Sequence, residues 1–122
     1  MSISPPPPYI FDISIIHKTY RFYLHLYSYT NTFPKKDRYT IGQKCENITL
    51  EILELLFLAN SKQNQQKLSL LNQIDIKLKI LKTLIRLCFD IKAIDQKKYL
   101  LLQERLQEIG KMLGGWLKSI EK

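Results

Sequence analysis

Hydrophobic residues recur at alternating spacings of three and four positions in four segments of the chain. This spacing keeps one face of an α-helix apolar, whereas a half-buried strand would alternate at every second residue. The pattern therefore predicts an all-α protein. The four stripes are Ile13, Ile16, Tyr20, Tyr23, Tyr27 and Thr30; Ile41, Cys45, Ile48, Ile52, Leu55 and Ala59; Leu71, Ile74, Leu78, Leu81, Ile85 and Cys88; and Tyr99, Leu102, Leu106, Ile109, Leu113, Trp116 and Ile120.

Residues that begin or end helices lie between these segments. Asp12 and Asp95 are placed to cap helix starts, and Phe33-Pro34 interrupts the pattern. These signals predict helices at about 12–33, 35–60, 66–91 and 95–120. Because the connections are short, we expect antiparallel neighbours in an up-down-up-down four-helix bundle, one domain spanning residues 12–122. Residues 1–11 include four consecutive prolines and are predicted to form an extended polyproline tail.

Two of the predicted helices carry a second apolar stripe beside the first. These stripes are Ile15, Phe22, Leu26, Tyr29 and Phe33, and Ile76, Ile80, Leu84, Leu87 and Ile91. An exposed apolar surface of this length usually marks an interface, although a wide stripe can also be internal to a bundle. Two glycines four residues apart in the fourth helix would allow a neighbouring helix, of this subunit or another, to approach closely. We predict a homo-oligomer whose interface includes Phe22, Leu26, Tyr29, Ile80, Leu84, Gly110 and Gly114.

The chain is basic, with 19 lysine and arginine residues against 11 acidic residues and a net charge of +8. A field of this sign attracts polyanions, although a basic helix edge is often only a solvated face. Because most of the cations are lysines, contacts to nucleic acid would be mainly to phosphates and would weaken with salt. The predicted nucleic-acid and partner-binding residues are Lys79, Lys82, Arg86, Lys97, Lys98, Arg105, Lys111, Lys118 and Arg38.

Residue patterns that would indicate catalysis are missing from the sequence. His17 and His25 are the only histidines, and no Glu-x-x-His motif, zinc spacing or phosphate-binding glycine loop is present. We therefore predict no catalytic residues, no metal site, no cofactor and no small-molecule substrate. No apolar run approaches the ~20 residues of a membrane span, so we expect a cytoplasmic protein without a membrane partner. Cys45 and Cys88 lie on apolar stripes and are predicted to be core residues.

Two stretches of the sequence resemble a known family. The first is Ile16-His17-Lys18-Thr19-Tyr20, and the second, Phe33–Gly42, reads FPKKDRYTIG. Together they resemble the signature of Avd, the accessory variability determinant family of diversity-generating retroelements, and the likeness extends in pattern over about residues 12–120.

Within this signature the resemblance implies structural roles for four residues. Pro34 and Gly42 would form the turn and allow close packing, and Tyr20 and Tyr39 would serve packing. Arg38 would serve either the helix start or a partner.

The resemblance also implies a function. Avd-like proteins are basic four-helix bundles that form homopentamers, bind the retroelement's reverse transcriptase and RNA or DNA, and support mutagenic retrohoming. They are not enzymes. Two alternatives stay open at this point: a bundle of the ribosomal RNA intervening-sequence type, or a structural scaffold that does not bind nucleic acid.

Overall fold

The computed structural model describes residues 14–120, and this part of the chain is built from four helices without strands. Helix α1 spans Ser14–Thr30, α3 spans Asn64–Asp90 and α4 spans Gln96–Ile120. Helix α2 has three consecutive parts: a first turn at Lys35–Asp37, a π-helical turn at Arg38–Gly42 and a long α-helical part at Gln43–Ser61. The prediction of an all-α four-helix protein is confirmed. The predicted polyproline tail, Asp12 and Ile13 lie outside the described residues.

Each helix packs against its neighbours in the chain, and α1 also packs against α4. The connections between successive helices are four, two and five residues long. This order of neighbours and these short connections are those of an up-down-up-down bundle. The closing contact between α1 and α4 brings the first and the last described helix together along one groove.

The stripe predicted for the third helix forms the centre of the core. All six of its residues, from Leu71 to Cys88, are at most 3% exposed. In α4 the four central stripe residues from Leu102 to Leu113 are buried as well. In α2 the buried residue after Ile52 is Leu56, with Leu55 only half-buried, so the stripe there is displaced by one position.

The two stripes of α1 are exchanged in part relative to the prediction: Ile16 and Thr30 are buried as predicted, but the tyrosines of the same stripe are not. Phe22 and Leu26 are 1% and 0% exposed, whereas Tyr20 and Tyr27 are 45% and 53% exposed. The phenyl and isobutyl groups are fully apolar, while a tyrosine hydroxyl at the same depth would need a hydrogen-bond partner. The prediction that Phe22 and Leu26 form an outer surface is therefore wrong, because both side chains belong to the core of a single subunit.

Both ends of the α3–α4 connection are closed by local hydrogen bonds. The Lys92 N–H donates to the Phe89 carbonyl and the Ala93 N–H donates to the Cys88 carbonyl, both at 2.9 Å, which is a Schellman ending. Lys92 occupies the left-handed position of this motif with φ 66°. At the start of α4 the Asp95 carboxylate accepts a 2.9 Å hydrogen bond from the Lys98 N–H, so the predicted cap is confirmed.

Gly42 ends the π-helical turn of α2 and faces the end of α1. A Cβ atom at this position would lie 3.2 Å from the Asp37 carbonyl oxygen, 3.3 Å from a Phe33 ring carbon and 3.4 Å from the Thr30 methyl group. Phe33 and Thr30 are both buried. The geometry agrees with close packing at Gly42, and Pro34 directly precedes the first turn of α2 as its N-cap residue.

The two cysteines are buried free thiols, as predicted for core residues. They lie on α2 and α3, and a hydrogen bond with Cys88, reinforced by burial, raises the pKa of the Cys45 thiol well above its ordinary range. The fold therefore holds this thiol in its protonated form.

Candidate functional site

The predicted basic edge of α3 is partly neutralised within its own helix. Lys79 Nζ lies 2.9 Å from Asp75 Oδ2, and Arg86 Nε lies 3.0 Å from Asp90 Oδ1. Exposed pairs of this kind hold a side chain only weakly, about 0.2–1 kcal/mol. Lys79, with 72% of its side chain exposed, therefore stays available to a partner.

Arg86 is held by more than its ion pair. Its guanidinium lies 5.7 Å and 5.8 Å from the ring centroids of Phe89 and Tyr99, and these two rings stack at 4.6 Å. Hydrogen bonding with Tyr99 and then with Asp90 raises the pKa of Arg86. Arg86 thus helps to close the junction between α3 and α4.

Lys82 and Gly110 meet on the seam between α3 and α4. Lys82 Nζ lies 3.6 Å from the position that a Cβ atom would take at Gly110, and the Lys82 carbonyl accepts a 3.0 Å hydrogen bond from Gln103 Nε2. The neighbour that approaches Gly110 therefore belongs to the same subunit. Gly114 has no atom within 4 Å of the corresponding position.

The five basic residues predicted along α4 divide between two directions. Lys97, Lys111 and Lys118 are exposed. Lys98 and Arg105 are half-buried and turn toward α1, where Lys98 Nζ lies 5.3 Å from the centroid of the Tyr29 ring. The predicted outer edge of α4 is therefore shorter than expected. Lys98 and Arg105 contribute instead to the groove that α1 and α4 share.

A cleft of about 260 Å³ in this groove collects cationic and imidazole side chains from both helices. Three of its lining residues carry a permanent positive charge. The cleft is lined by His17, Lys18, Arg21 and His25 from α1 and Arg105 from α4. This arrangement is suited to an anion, because donors from two helices converge on one small volume.

Glu108 is the counter-ion of this cleft. Its two carboxylate oxygens lie 3.1 Å from Lys18 Nζ and 3.4 Å from Arg105 Nη1. The hydrogen bond from Lys18, together with the charge of Arg105, lowers the pKa of the Glu108 carboxyl. Glu108 therefore stays ionised and offsets part of the positive charge of the cleft.

Sequence reasoning missed Lys18, Arg21 and His25 as site residues. Their spacing of three and four places them on one flank of α1, which is a readable signal. The sequence prediction considered Lys18 only as part of the family signature. Their convergence with Arg105 also depends on contacts between residues about 90 positions apart, such as Lys18 and Glu108.

The second signature stretch exposes an aromatic side chain. Tyr39 is 59% exposed, and its ring centroid lies 5.4 Å from the Arg38 guanidinium carbon. Beside this pair, the Thr30 hydroxyl donates a hydrogen bond to the Glu46 carboxylate, which connects α1 to α2. Tyr20 and Tyr39, to which the resemblance gave a packing role, remain 45% and 59% exposed within the subunit.

An apolar stripe on the outer side of α3 remains uncovered in the subunit. Ile80 is 44% exposed, and Leu84 is half-buried against the core. The other members of this outer stripe are Ile76, Leu87 and Ile91, all exposed. Of the predicted interface residues on α1, only Tyr29 retains partial exposure.

Two classes of site find no support in residues 14–120. No group of three or more histidine, cysteine, aspartate or glutamate side chains is placed to hold a metal ion there. Within the same range, no helix has both the length and the apolar composition needed to cross a membrane.

Comparison with known proteins adds one finding. A family model described as bAvd-like matches residues 13–120, which is nearly the whole chain. A comparison with curated proteins found no match to this chain.

Proposed function

The chain belongs to the bAvd-like family, and we propose that it is the non-catalytic adaptor of a diversity-generating retroelement. In this role it binds the reverse transcriptase and RNA or DNA of the element and supports mutagenic retrohoming. The single observation that carries the proposal is the family match over residues 13–120.

The charge of the protein supports binding to a polyanion. The net charge is +8, and exposed cations lie on both α3 and α4, including Lys79, Lys97, Lys111 and Lys118. Lysine ammonium groups act as point charges, so they favour phosphates over base edges. The adaptor should therefore bind nucleic acid with little sequence preference.

The outer stripe of α3 supports self-association. Ile76 and Ile80 are 58% and 44% exposed, and the stripe continues into Leu87 on the same helix and Ile91 directly after it. A surface that joins several large aliphatic side chains is uncommon on a monomer. We propose that a second subunit covers it in a closed homo-oligomer, five-membered by analogy with the Avd family.

A titration of structured RNA at increasing salt tests the nucleic-acid part of the proposal. Binding should be measurable at about 50 mM salt and should weaken steeply by about 200 mM, because cations released from the phosphates drive it. Absence of binding at the lower salt would instead favour a scaffold without nucleic-acid binding. Co-purification with a reverse transcriptase encoded beside the gene would separate the retroelement adaptor from a bundle of the intervening-sequence type.

Light scattering tests the assembly. We expect a mass several times the 14.5 kDa of the chain. Changing Ile76 and Ile80 together to glutamate should reduce the mass toward one subunit while helicity is preserved, since both side chains already contact solvent. The matched control is Leu100→Glu on α4, also exposed at 54%, which should leave the mass unchanged. A wild-type mass near 14.5 kDa would contradict self-association.

A further inference from the structure

We propose that the groove between α1 and α4 is the track along which this protein binds a nucleic-acid strand, with the cleft at Lys18, Arg21 and Arg105 holding a backbone phosphate. This inference rests on the proposed nucleic-acid binding and gives it a location. The location differs in part from the sequence prediction, which named cations along the edges of both α3 and α4 and included Arg105 but not Lys18 or Arg21.

The first argument is convergence. Lys18 and Arg21 from α1 face Arg105 from α4 across a volume of about 260 Å³, and two imidazoles complete the lining. Guanidinium groups match the oxygens of a phosphate in a bidentate manner, and an ammonium or imidazole group can add a further hydrogen bond. By contrast, Lys111 and Lys118 are exposed cations on the outside of one helix and do not line this cleft.

The second argument is the length of the groove. Lys98 lies over the Tyr29 ring at the same α1–α4 junction, and a second cavity there is lined by Tyr29, Lys97 and Lys98, together with the acidic residues Asp95 and Glu104. Along α1 the distance from His17 to Tyr29 is about 18 Å at 1.5 Å per residue. Cations along this length with an aromatic ring near one end match the general design of single-strand binding surfaces, in which lysines and arginines follow the backbone and rings stack on bases.

The third argument concerns Glu108, which accepts from both Lys18 and Arg105 in the free protein. A phosphate entering the cleft competes with this carboxylate for the same donors. Glu108 therefore limits the affinity of the site, and removing its charge should strengthen binding. A carboxylate that does not contact the cleft donors would change the affinity only through the net charge.

The test uses the full chain and a fluorescein-labelled single-stranded RNA of 30 nucleotides. The double variant Lys18→Gln/Arg21→Gln is compared with Lys44→Gln/Lys62→Gln. The control removes the same charge from two exposed positions that do not line the cleft, one on α2 and one directly after its last residue. We expect the cleft variant to lose about tenfold in affinity. The slope of log K against log salt should become shallower by about one to one and a half, because two phosphate contacts to a single strand are lost. The control should lose less than about threefold with an unchanged slope.

A charge-removing variant of the counter-ion completes the design. Glu108→Gln should raise the affinity for this RNA by about threefold, beyond the change caused by Glu54→Gln on α2, because only Glu108 occupies cleft donors. Circular dichroism and thermal melting verify that each variant is folded, which we expect because the Lys18–Glu108 pair is substantially exposed.

The outcomes separate the inference from the function it rests on. If the wild-type protein does not bind RNA at about 50 mM salt, the proposed function and the inference both fail. If it binds but the cleft and control variants lose affinity equally, only the inference fails, since net charge then explains the binding. If the cleft variant retains RNA affinity and loses the reverse transcriptase, the groove serves a protein partner and the inference is overturned.

Discussion

Replacing Gly42 with alanine tests whether the signature turn is shaped by close packing. In an ordinary helix interior this change would stabilise the protein by about 1 kcal/mol, because alanine loses less backbone entropy on folding. Here the added Cβ meets a backbone oxygen at 3.2 Å, a Phe33 ring carbon at 3.3 Å and the Thr30 methyl at 3.4 Å. Thr30 is also held in place by its hydrogen bond to Glu46, so these neighbours cannot all move away cheaply.

Overpacking of a closed site costs about 1–3 kcal/mol, which exceeds the gain in helix propensity. We therefore expect Gly42→Ala to lower the free energy of unfolding by up to about 2 kcal/mol, measured by urea denaturation at a fixed protein concentration. Gly114→Ala is the matched control, because its added Cβ meets no atom within 4 Å. It should raise the stability by up to about 1 kcal/mol. If both variants stabilise the protein equally, the close-packing argument for Gly42 is refuted.

Four further changes probe other parts of the fold. Lys92→Gly should stabilise the protein by about 0.5–1 kcal/mol in urea denaturation, because glycine adopts the left-handed conformation at φ 66° without strain. Asp95→Ala should destabilise it by about 1 kcal/mol in the same assay through loss of the cap on α4. Tyr39→Ala should change the free energy of unfolding little, within about 0.5 kcal/mol, because the ring is 59% exposed. The hydrogen bond with Cys88, together with burial, raises the pKa of the Cys45 thiol, so the stability that this group contributes is present below the unfolded-state pKa of about 8.5 and should decrease as the pH rises above it. Cys45→Ala should change this dependence in a pH series of urea curves.

The core of α3 could be predicted from the sequence, and that of α1 could not. In α3 a second apolar stripe, from Ile76 to Ile91, also lies beside the predicted core stripe, but neither contains a tyrosine, so the weight given to tyrosine does not affect the prediction there. In α1 two apolar stripes lie side by side, and the choice depends on how tyrosine is weighted against phenylalanine and leucine. The stripe that reaches the core also includes Thr19, whose hydroxyl donates to the Ile15 carbonyl at 2.8 Å. This local hydrogen bond makes burial of a polar residue inexpensive.

The cations of the groove show a different limit of sequence reasoning. Charge and periodicity locate basic residues on helices, and they placed Arg105 correctly among the basic residues of α4. They do not reveal which flank of α4 meets which helix, because that follows from the closure of α1 onto α4. Only the folded chain brings Arg21 and Arg105 to one cleft and sets Glu108 between Lys18 and Arg105.

The signature stretch from Phe33 to Gly42 contains buried residues that pack inside the subunit and exposed residues that do not, and the family match alone does not distinguish them. Phe33 and Gly42 are buried, and their contacts explain why the turn has this shape. Tyr39 lies in the same π-helical turn and is mostly exposed beside Arg38. A π-helical turn closes i→i+5 hydrogen bonds. The side chains that follow it are therefore rotated about the helix axis relative to their positions in a regular α-helix. The turn therefore directs Gly42 toward the end of α1 while Tyr39 and Arg38 remain at the surface. Packing accounts for Phe33 and Gly42. The exposed ring of Tyr39 beside Arg38, by contrast, is a feature that the fold does not require and that a binding partner can use.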